Sequence, residues 1–156
     1  MVLCTKSRHM KMDRYVLKSE SCSTVYRFIS EGKNGPIQKL IRFQKTNVPG
    51  LYNLAFGDKN ADGGIDDLAV SNNGDREKVL ATVGSALYKF FDRFPSAFVY
   101  AEGSTASRTR LYRMGITKFY KEIIADFYLF GIIDEELYEF EFGKEYDGFL
   151  VLRKFN

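Results

Sequence analysis

Residues 75–94 of this chain have the sequence DREKVLATVGSALYKFFDRF, and Pro95 follows directly. Its apolar side chains recur at helical spacing, which is typical of one apolar stripe along an α-helix: Val79, Leu80, Val83, Leu87, Phe90, Phe91 and Phe94. We expect Asp75 to be the N-cap, with its carboxylate accepting the free N–H groups of the first turn. Pro95 ends the helix. The stripe therefore predicts a helix that packs on a sheet.

Strands are predicted on both sides of this helix. β-Branched and aromatic residues before it form five segments, with a hairpin turn at Asn34-Gly35: Arg14–Ser19, Ser23–Glu31, Ile37–Lys45, Leu51–Gly57 and Asp66–Ser71. A second helix is expected from Gly103 to about Ile123, among four further strands: Ala97–Ala101, Phe127–Ile133, Leu137–Phe142 and Phe149–Phe155. The sequence thus predicts an α+β fold, a mostly antiparallel sheet with two central helices packed on it.

Length and composition fit one globular domain. The chain has 156 residues, 45% of them hydrophobic and 28% charged, with a net charge of +3. We expect a flexible tail over residues 1–12 and a single domain over residues 13–156. The charge is too small to indicate nucleic-acid binding, and no apolar run is long enough for a membrane span. Two cysteines without a CxxC pair and no signal peptide favour a cytoplasmic protein.

Two loops that each join a strand to a helix are the candidate binding site. Hydroxyls, amides and an arginine at helix starts are typical of anion recognition, and the residues are Asn73, Gly74, Gly103, Ser104, Thr105 and Arg108. If the two preceding strands are neighbours, we expect Asn73, Ser104 and Arg108 to converge on one concave patch. The alternatives are a turn plus cap for the first loop, and for Arg108 a salt bridge to Glu102 or Asp75.

Other motifs give weaker signals. The segment 58–67 matches the first half of a calcium loop, but its twelfth position is Ala69 instead of a bidentate glutamate. We therefore expect an acidic turn and no metal. His9 is the only histidine, which makes catalytic triads and histidine metal sites improbable.

The runs LYNLAFGD, SNNGDREKVLATV and VYAEGSTASRTRLYRMGITKFY resemble a family of small uncharacterised proteins common in Bacteroidetes. This resemblance covers about Arg14 to Lys154 and implies no established activity.

The chain also resembles, at the level of the fold, the Gcn5-related N-acetyltransferases. A strand, helix, strand, helix order leads into closing strands, and Leu111-Tyr112 precedes Gly115. The resemblance implies coenzyme A as cofactor and Tyr112 as a general acid to the departing thiolate. The family's pyrophosphate loop has a second glycine, whereas residues 73–77 here are NGDRE, so the fold could be shared without the cofactor.

Three functions remain open after these observations. We expect first a non-catalytic binding module without a cofactor, which recognises a small anionic ligand or an acidic side chain of an unidentified partner protein. The second is an acyltransferase-like enzyme that uses an acyl-coenzyme A. The third is an obligate homodimer or partner subunit, because the chain is rich in tyrosine and phenylalanine and aromatic residues are enriched at interfaces.

Overall fold

A computed structural model describes residues 13–20, 23–66 and 73–155. The strands in these ranges are β1 Lys18–Ser19, β2 Val25–Gly32, β3 Gly35–Lys45, β4 Leu51–Lys59, β5 Ile65–Asp66, β6 Phe98–Ala101, β7 Phe127–Ile133, β8 Glu136–Glu139 and β9 Gly148–Arg153. The helices are α1 Arg76–Arg93, α2 Ala106–Lys118 and α3 Tyr120–Asp126.

All nine described strands belong to one sheet. Their order is β1-β2-β3-β4-β6-β9-β7-β8, and β5 pairs with β4 beside this path. The pairing of β4 with β6 is parallel, and the other seven pairings between the described strands are antiparallel. The predicted α+β class with a mostly antiparallel sheet is therefore confirmed.

The sheet has an inner face, on which the helices pack, and an outer face. Phe43 and Tyr52 point from the inner face to α1, where their ring centroids lie 4.2 and 4.9 Å from that of Phe90. Phe91 contacts Phe127 of β7 at 5.2 Å. Because side chains alternate along each strand, the neighbours of these residues point to the outer face.

The helical stripe predicted from the spacing is confirmed. Val79, Leu80, Val83, Leu87 and Phe91 are all buried, with at most 8% of their surface exposed. In β6 the helix side belongs to Val99, which is 1% exposed, whereas Phe98 on the outer face is 43% exposed. The sheet under the helix includes Phe98 and Tyr100 of β6, and these two side chains point to the outer face because a strand reverses its face at every step.

The predicted second helix is two helices. α2 ends at Lys118 and α3 begins at Tyr120, so the break falls at Phe119, whose backbone angles are φ −108° and ψ 24°. Phe119 is 2% exposed, so the residue at the break belongs to the hydrophobic core. The described part of the chain therefore has three helices instead of two.

Several strand bounds also differ from the prediction. β1 is confined to Lys18–Ser19, and β8 ends at Glu139 instead of Phe142. Residues 67–71 of the predicted fifth strand lie outside the described ranges, as does the predicted tail over residues 1–12. Within the part of the chain that the structure describes, no helix is long and apolar enough to cross a membrane.

Candidate functional site

A cluster of polar side chains lies beneath the start of α1, between that helix and the inner face of the sheet. Asp75 accepts hydrogen bonds from the hydroxyls of Tyr15 and Ser30, both at 2.5 Å. Burial alone would raise the pKa of the Asp75 carboxyl, but these hydrogen bonds outweigh it, and the pKa lies below the ordinary value of 3.8. Asp75 is therefore ionised at neutral pH.

Asn73 belongs to the same inner cluster. It is 2% exposed, and its amide donates to the Ser30 hydroxyl and to the Gly35 carbonyl, both at 3.0 Å. Its side-chain oxygen accepts from the Asn34 backbone N–H at 2.6 Å. These three hydrogen bonds of the Asn73 side chain hold the β2–β3 hairpin against the loop before α1.

The predicted helix cap at Asp75 is correct in position but not in its hydrogen bonds, because the side chain turns inward. Asp75 occupies the N-cap position, but its side chain makes no cap hydrogen bond with the first turn. Tyr15 and Ser30 compete successfully for the carboxylate, because hydroxyl donors held at 2.5 Å give strong charge-assisted hydrogen bonds. The N–H groups of the first turn consequently lack a side-chain partner from the N-cap.

This first turn lines an open groove of about 750 Å³. The floor is apolar and comes from Leu80, Met114 and Phe119. Charged residues form the rim, with both signs present: Asp13, Asp75, Arg76, Glu77, Lys78 and Lys118. The groove thus lies where α1 begins and α2 passes into α3.

The rim charges are partly paired. Lys118 lies 3.5 Å from Glu77, and Lys78 lies 3.7 Å from Asp13. Arg76 has no ion pair with any residue in the described ranges and is exposed. A cation in the first turn opposes the helix dipole, so Arg76 adds positive potential beside backbone N–H groups that also favour an anion.

Arg108 lies at a gap in the sheet. β6 pairs with β4 over Leu51–Leu54, and β5 pairs with Asp58 and Lys59, so no strand within the described residues pairs with residues 55–57 of β4 on that side. The Arg108 guanidinium donates to the Phe56 carbonyl at 2.5 Å and to the Asp66 carbonyl at 3.3 Å. Arg108 thus donates to these carbonyls and forms no ion pair with Glu102 or Asp75.

Tyr112 lies one helical turn after Arg108 and extends the same contact with β4. It is 7% exposed, its hydroxyl donates to the Leu54 carbonyl at 3.2 Å, and its ring packs on Phe56 at 5.5 Å. Arg108 and Tyr112 thus donate hydrogen bonds to two backbone carbonyls of β4, those of Phe56 and Leu54.

The second loop forms an ordinary helix start. The Thr105 hydroxyl accepts from the Arg108 backbone N–H at 3.2 Å and caps α2. The Gly103 backbone N–H donates to the Thr109 hydroxyl at 3.0 Å. Ser104 is exposed.

The structure brings only part of the predicted site to the groove. Gly74 lines it, whereas Asn73, Gly103, Ser104, Thr105 and Arg108 are not among its lining residues. Asn73 is bonded to the β2–β3 hairpin, whereas Arg108 is bonded to β4 and β5. The convergence of Asn73, Ser104 and Arg108 on one patch stays a prediction. Sequence reasoning overlooked Arg76 as a groove residue, although a cation at a helix start was a visible signal.

An ion pair to β3 and the Asn60 side chain stabilise the acidic turn at the end of β4. Asp58 pairs with Lys39 at 2.5 Å, and the Asn60 side chain accepts from the N–H groups of Asp62 and Gly64. Among the residues that the structure describes, no group of three or more His, Cys, Asp or Glu side chains is arranged to hold a metal ion.

The chain belongs to the DUF6934 family, a family of unknown function, whose sequence model matches residues 11–154. No curated protein and no solved structure matches the chain. The expectation of an uncharacterised family is confirmed at this level, and the groove lies within the matched region. The likeness to acetyltransferases remains a prediction.

Proposed function

We propose that this chain is a non-catalytic binding module whose groove at the start of α1 takes up a small anionic group. That group is a carboxylate or a phosphate monoester, free or carried by a partner protein. The support is the inward turn of the Asp75 carboxylate, which accepts from Tyr15 and Ser30. The carboxylate therefore makes no hydrogen bond to the N–H groups of the first turn, which stay available to an anion, while Asp75 still lines the groove and limits how negative that anion can be.

The charges of the rim fit the same ligand. Arg76 offers a planar fork of donors in the first turn, and Lys118 also lines the groove, 3.5 Å from Glu77. Glu77 and Asp13 limit how much negative charge the groove can accept. A single carboxylate or phosphate monoester therefore suits it better than a pyrophosphate, and the apolar floor favours a ligand that carries a hydrocarbon part.

The acyltransferase alternative has one observation in its favour. β4 is followed by the short β5 and then by α1, β6 and α2, and β4 and β6 are parallel. Apart from β5, this is the order that the acetyltransferase resemblance implies. Against it, Arg108 and Tyr112 occupy the gap beside β4 and donate to its carbonyls. A tyrosine already bonded to Leu54 and almost fully buried is poorly placed to protonate a leaving thiolate.

The proposal can be tested by NMR titration of the ¹⁵N-labelled full chain with inorganic phosphate and with phenyl phosphate. We expect saturable shifts at the amides of residues 74–78, with tighter binding of phenyl phosphate. Arg76→Gln should weaken binding about tenfold, the size of one lost charged contact. Arg110→Gln in α2, an exposed arginine outside the groove, is the matched control and should leave binding unchanged.

The result that contradicts the proposal is equally specific. Shifts that stay linear to millimolar phosphate, or that are identical in wild type and Arg76→Gln, would rule out this site. Acetyl-coenzyme A serves as a third probe. Saturable binding that perturbs residues of β4 and β6, followed by acetyl transfer to an added amine, would favour the enzyme instead.

A further inference from the structure

Tyr15 joins the N-terminal segment of the described chain to the inner cluster beneath α1. Its backbone N–H donates to the Thr82 hydroxyl of α1 at 2.9 Å, and its ring stacks on Phe28 of β2 with the ring centroids 5.6 Å apart. The Lys78 ammonium lies 4.3 Å from the centroid of the Tyr15 ring. The backbone and the ring of Tyr15 are therefore held in place by contacts that do not involve its hydroxyl.

The two hydroxyls that bind Asp75 are directed to it by neighbouring N–H groups. The Glu31 backbone N–H donates to the Tyr15 hydroxyl at 3.0 Å. The Asn73 amide donates to the Ser30 hydroxyl, also at 3.0 Å. Each hydroxyl has one proton to give, and for Tyr15 the Asp75 carboxylate at 2.5 Å is a stronger acceptor than the Glu31 carbonyl at 3.2 Å. Both hydroxyls thus donate to Asp75, and both reach the same oxygen, Oδ2.

The backbone around Asp75 allows a second position of its side chain. Thr105, which caps α2, has φ −135° and ψ 163°, whereas Asp75 has a similar φ of −124° but a ψ of 32°. The main backbone difference between Asp75 and a capping residue is therefore in ψ. Gly74 precedes Asp75 with φ +77°, and a glycine can absorb such a change because it has no side chain. The first N–H groups of a helix have no acceptor within it, so they would bind the carboxylate if Tyr15 released it.

We propose, on the basis of the proposed function, that Tyr15 is a positioning residue that regulates anion binding in the groove at α1. While its hydroxyl binds Asp75, the carboxylate makes no hydrogen bond to the first turn, and an anion can bind there. When that bond is lost, Asp75 turns to cap α1, and its own charge then takes the place of the ligand. Because the anion binds only the first of these two states, it also favours the bond between Tyr15 and Asp75. The N-terminal segment that carries Tyr15 is thus coupled to the groove.

Amide hydrogen exchange of the full chain without a ligand tests the position of Asp75. Tyr15→Phe removes the hydroxyl and retains the ring and the backbone N–H. We expect the N–H groups of Glu77 and Lys78 to exchange at least about threefold more slowly in this variant than in wild type, because the Asp75 carboxylate then accepts from them.

Two controls show whether the effect passes through Asp75. Tyr26→Phe removes a hydroxyl that donates to the Ser23 carbonyl at 2.8 Å. Tyr26 does not line the groove, so this variant should leave the two exchange rates unchanged. In a chain that carries Asp75→Ala, Tyr15→Phe should also leave them unchanged, because no carboxylate remains to move. A merely structural role of Tyr15 would change them with or without Asp75.

Titration with phenyl phosphate measures the effect on binding. We expect Tyr15→Phe to raise the dissociation constant at least about threefold, and to leave it unchanged in the Asp75→Ala background. Exchange rates at Glu77 and Lys78 that are the same in wild type and Tyr15→Phe would overturn the proposal, and so would slower exchange without a loss of affinity. A wild type that binds no phosphate would overturn the proposed function and the regulatory role with it. The exchange rates would still decide, without a ligand, whether Tyr15 positions Asp75.

Discussion

The starts of α1 and α2 are similar in sequence, but their side chains make different contacts in the structure. Each follows a strand, has a polar N-cap and contains an arginine close to the N-terminus. At α2 the Thr105 hydroxyl caps the first turn, and Arg108 is engaged by carbonyls of β4 and β5. At α1 the Asp75 carboxylate turns inward, and Arg76 stays exposed at the groove. The two helix starts therefore differ in whether the N-cap side chain binds the first turn and in whether the arginine is bound by the protein. These two features distinguish a structural helix start from a candidate binding site.

Substitutions at the glycines before the two helices should give the largest difference in unfolding free energy between the two helix starts. A Cβ at Gly103 would overlap the Arg108 side chain and the Thr109 backbone, so Gly103→Ala should cost about 3 kcal/mol, because α2 must move away. Gly74 has φ +77° and only the end of the Lys33 side chain near its Cβ position, so Gly74→Ala should cost only about 1 kcal/mol of backbone strain. Urea unfolding measures both.

Equal losses in the two glycine variants would contradict this contrast. Such a result would mean that the backbone around α2 adjusts to a new side chain as readily as the loop before α1. Arg108 would then not fix the position of α2.

The two arginines provide the next contrast. Arg108→Ala removes a charged donor from the Phe56 and Asp66 carbonyls and should lower the free energy of unfolding by about 2 kcal/mol. Arg76→Ala, at an exposed position without an ion pair in the described ranges, should change it by less than about 0.5 kcal/mol. Thermal or urea unfolding of both variants gives the comparison. A stability loss at Arg76 as large as that at Arg108 would make its role structural.

Much of this fold follows from local patterns in the sequence. The stripe from Val79 to Phe91 is a consequence of helix geometry and needs no knowledge of the sheet. Lys39 interrupts the apolar alternation of β3, and in the structure it points inward to Asp58 at 2.5 Å. Alternation along the strand places Lys39 on the inner face, but it does not identify Asp58 as the partner of the buried charge.

The site was harder to predict because its chemistry depends on distant partners. Tyr15 and Ser30, which turn Asp75 inward, lie 60 and 45 residues away along the chain. The sequence did indicate that Arg108, a cation in a first turn, needs a compensating contact. It could not indicate that this contact is a pair of carbonyls at a gap between strands, because the gap exists only once β6 has paired with β4.

A cap substitution gives a smaller contrast between the two helix starts. Thr105→Ala removes the side chain that accepts from the Arg108 N–H and should cost about 1 kcal/mol. Thr105→Asp retains an acceptor and should preserve stability, which separates the capping role from any effect of side-chain volume. A Thr105→Ala variant as stable as wild type would show that other contacts, such as those of Arg108, hold the α2 terminus unaided.

The smallest effect is the pH dependence that Asp75 gives to stability. Its folded-state pKa lies below 3.8, so the ionised carboxylate stabilises the fold above the ordinary pKa, and this contribution is lost as the pH falls through the folded value. The difference in unfolding free energy between wild type and Asp75→Asn should be constant from about pH 7 to pH 5 and shrink below about pH 4. Burial, and then the bond to Asp75, raise the pKa of Tyr15, so its hydroxyl continues to donate throughout this range.

Asp62→Asn, in the exposed acidic turn, is the control, and urea unfolding at each pH is the measurement. If the Asp75→Asn difference is the same at pH 3 as at pH 7, the carboxylate is not held ionised by Tyr15 and Ser30, and the contrast between the two helix starts loses its electrostatic basis.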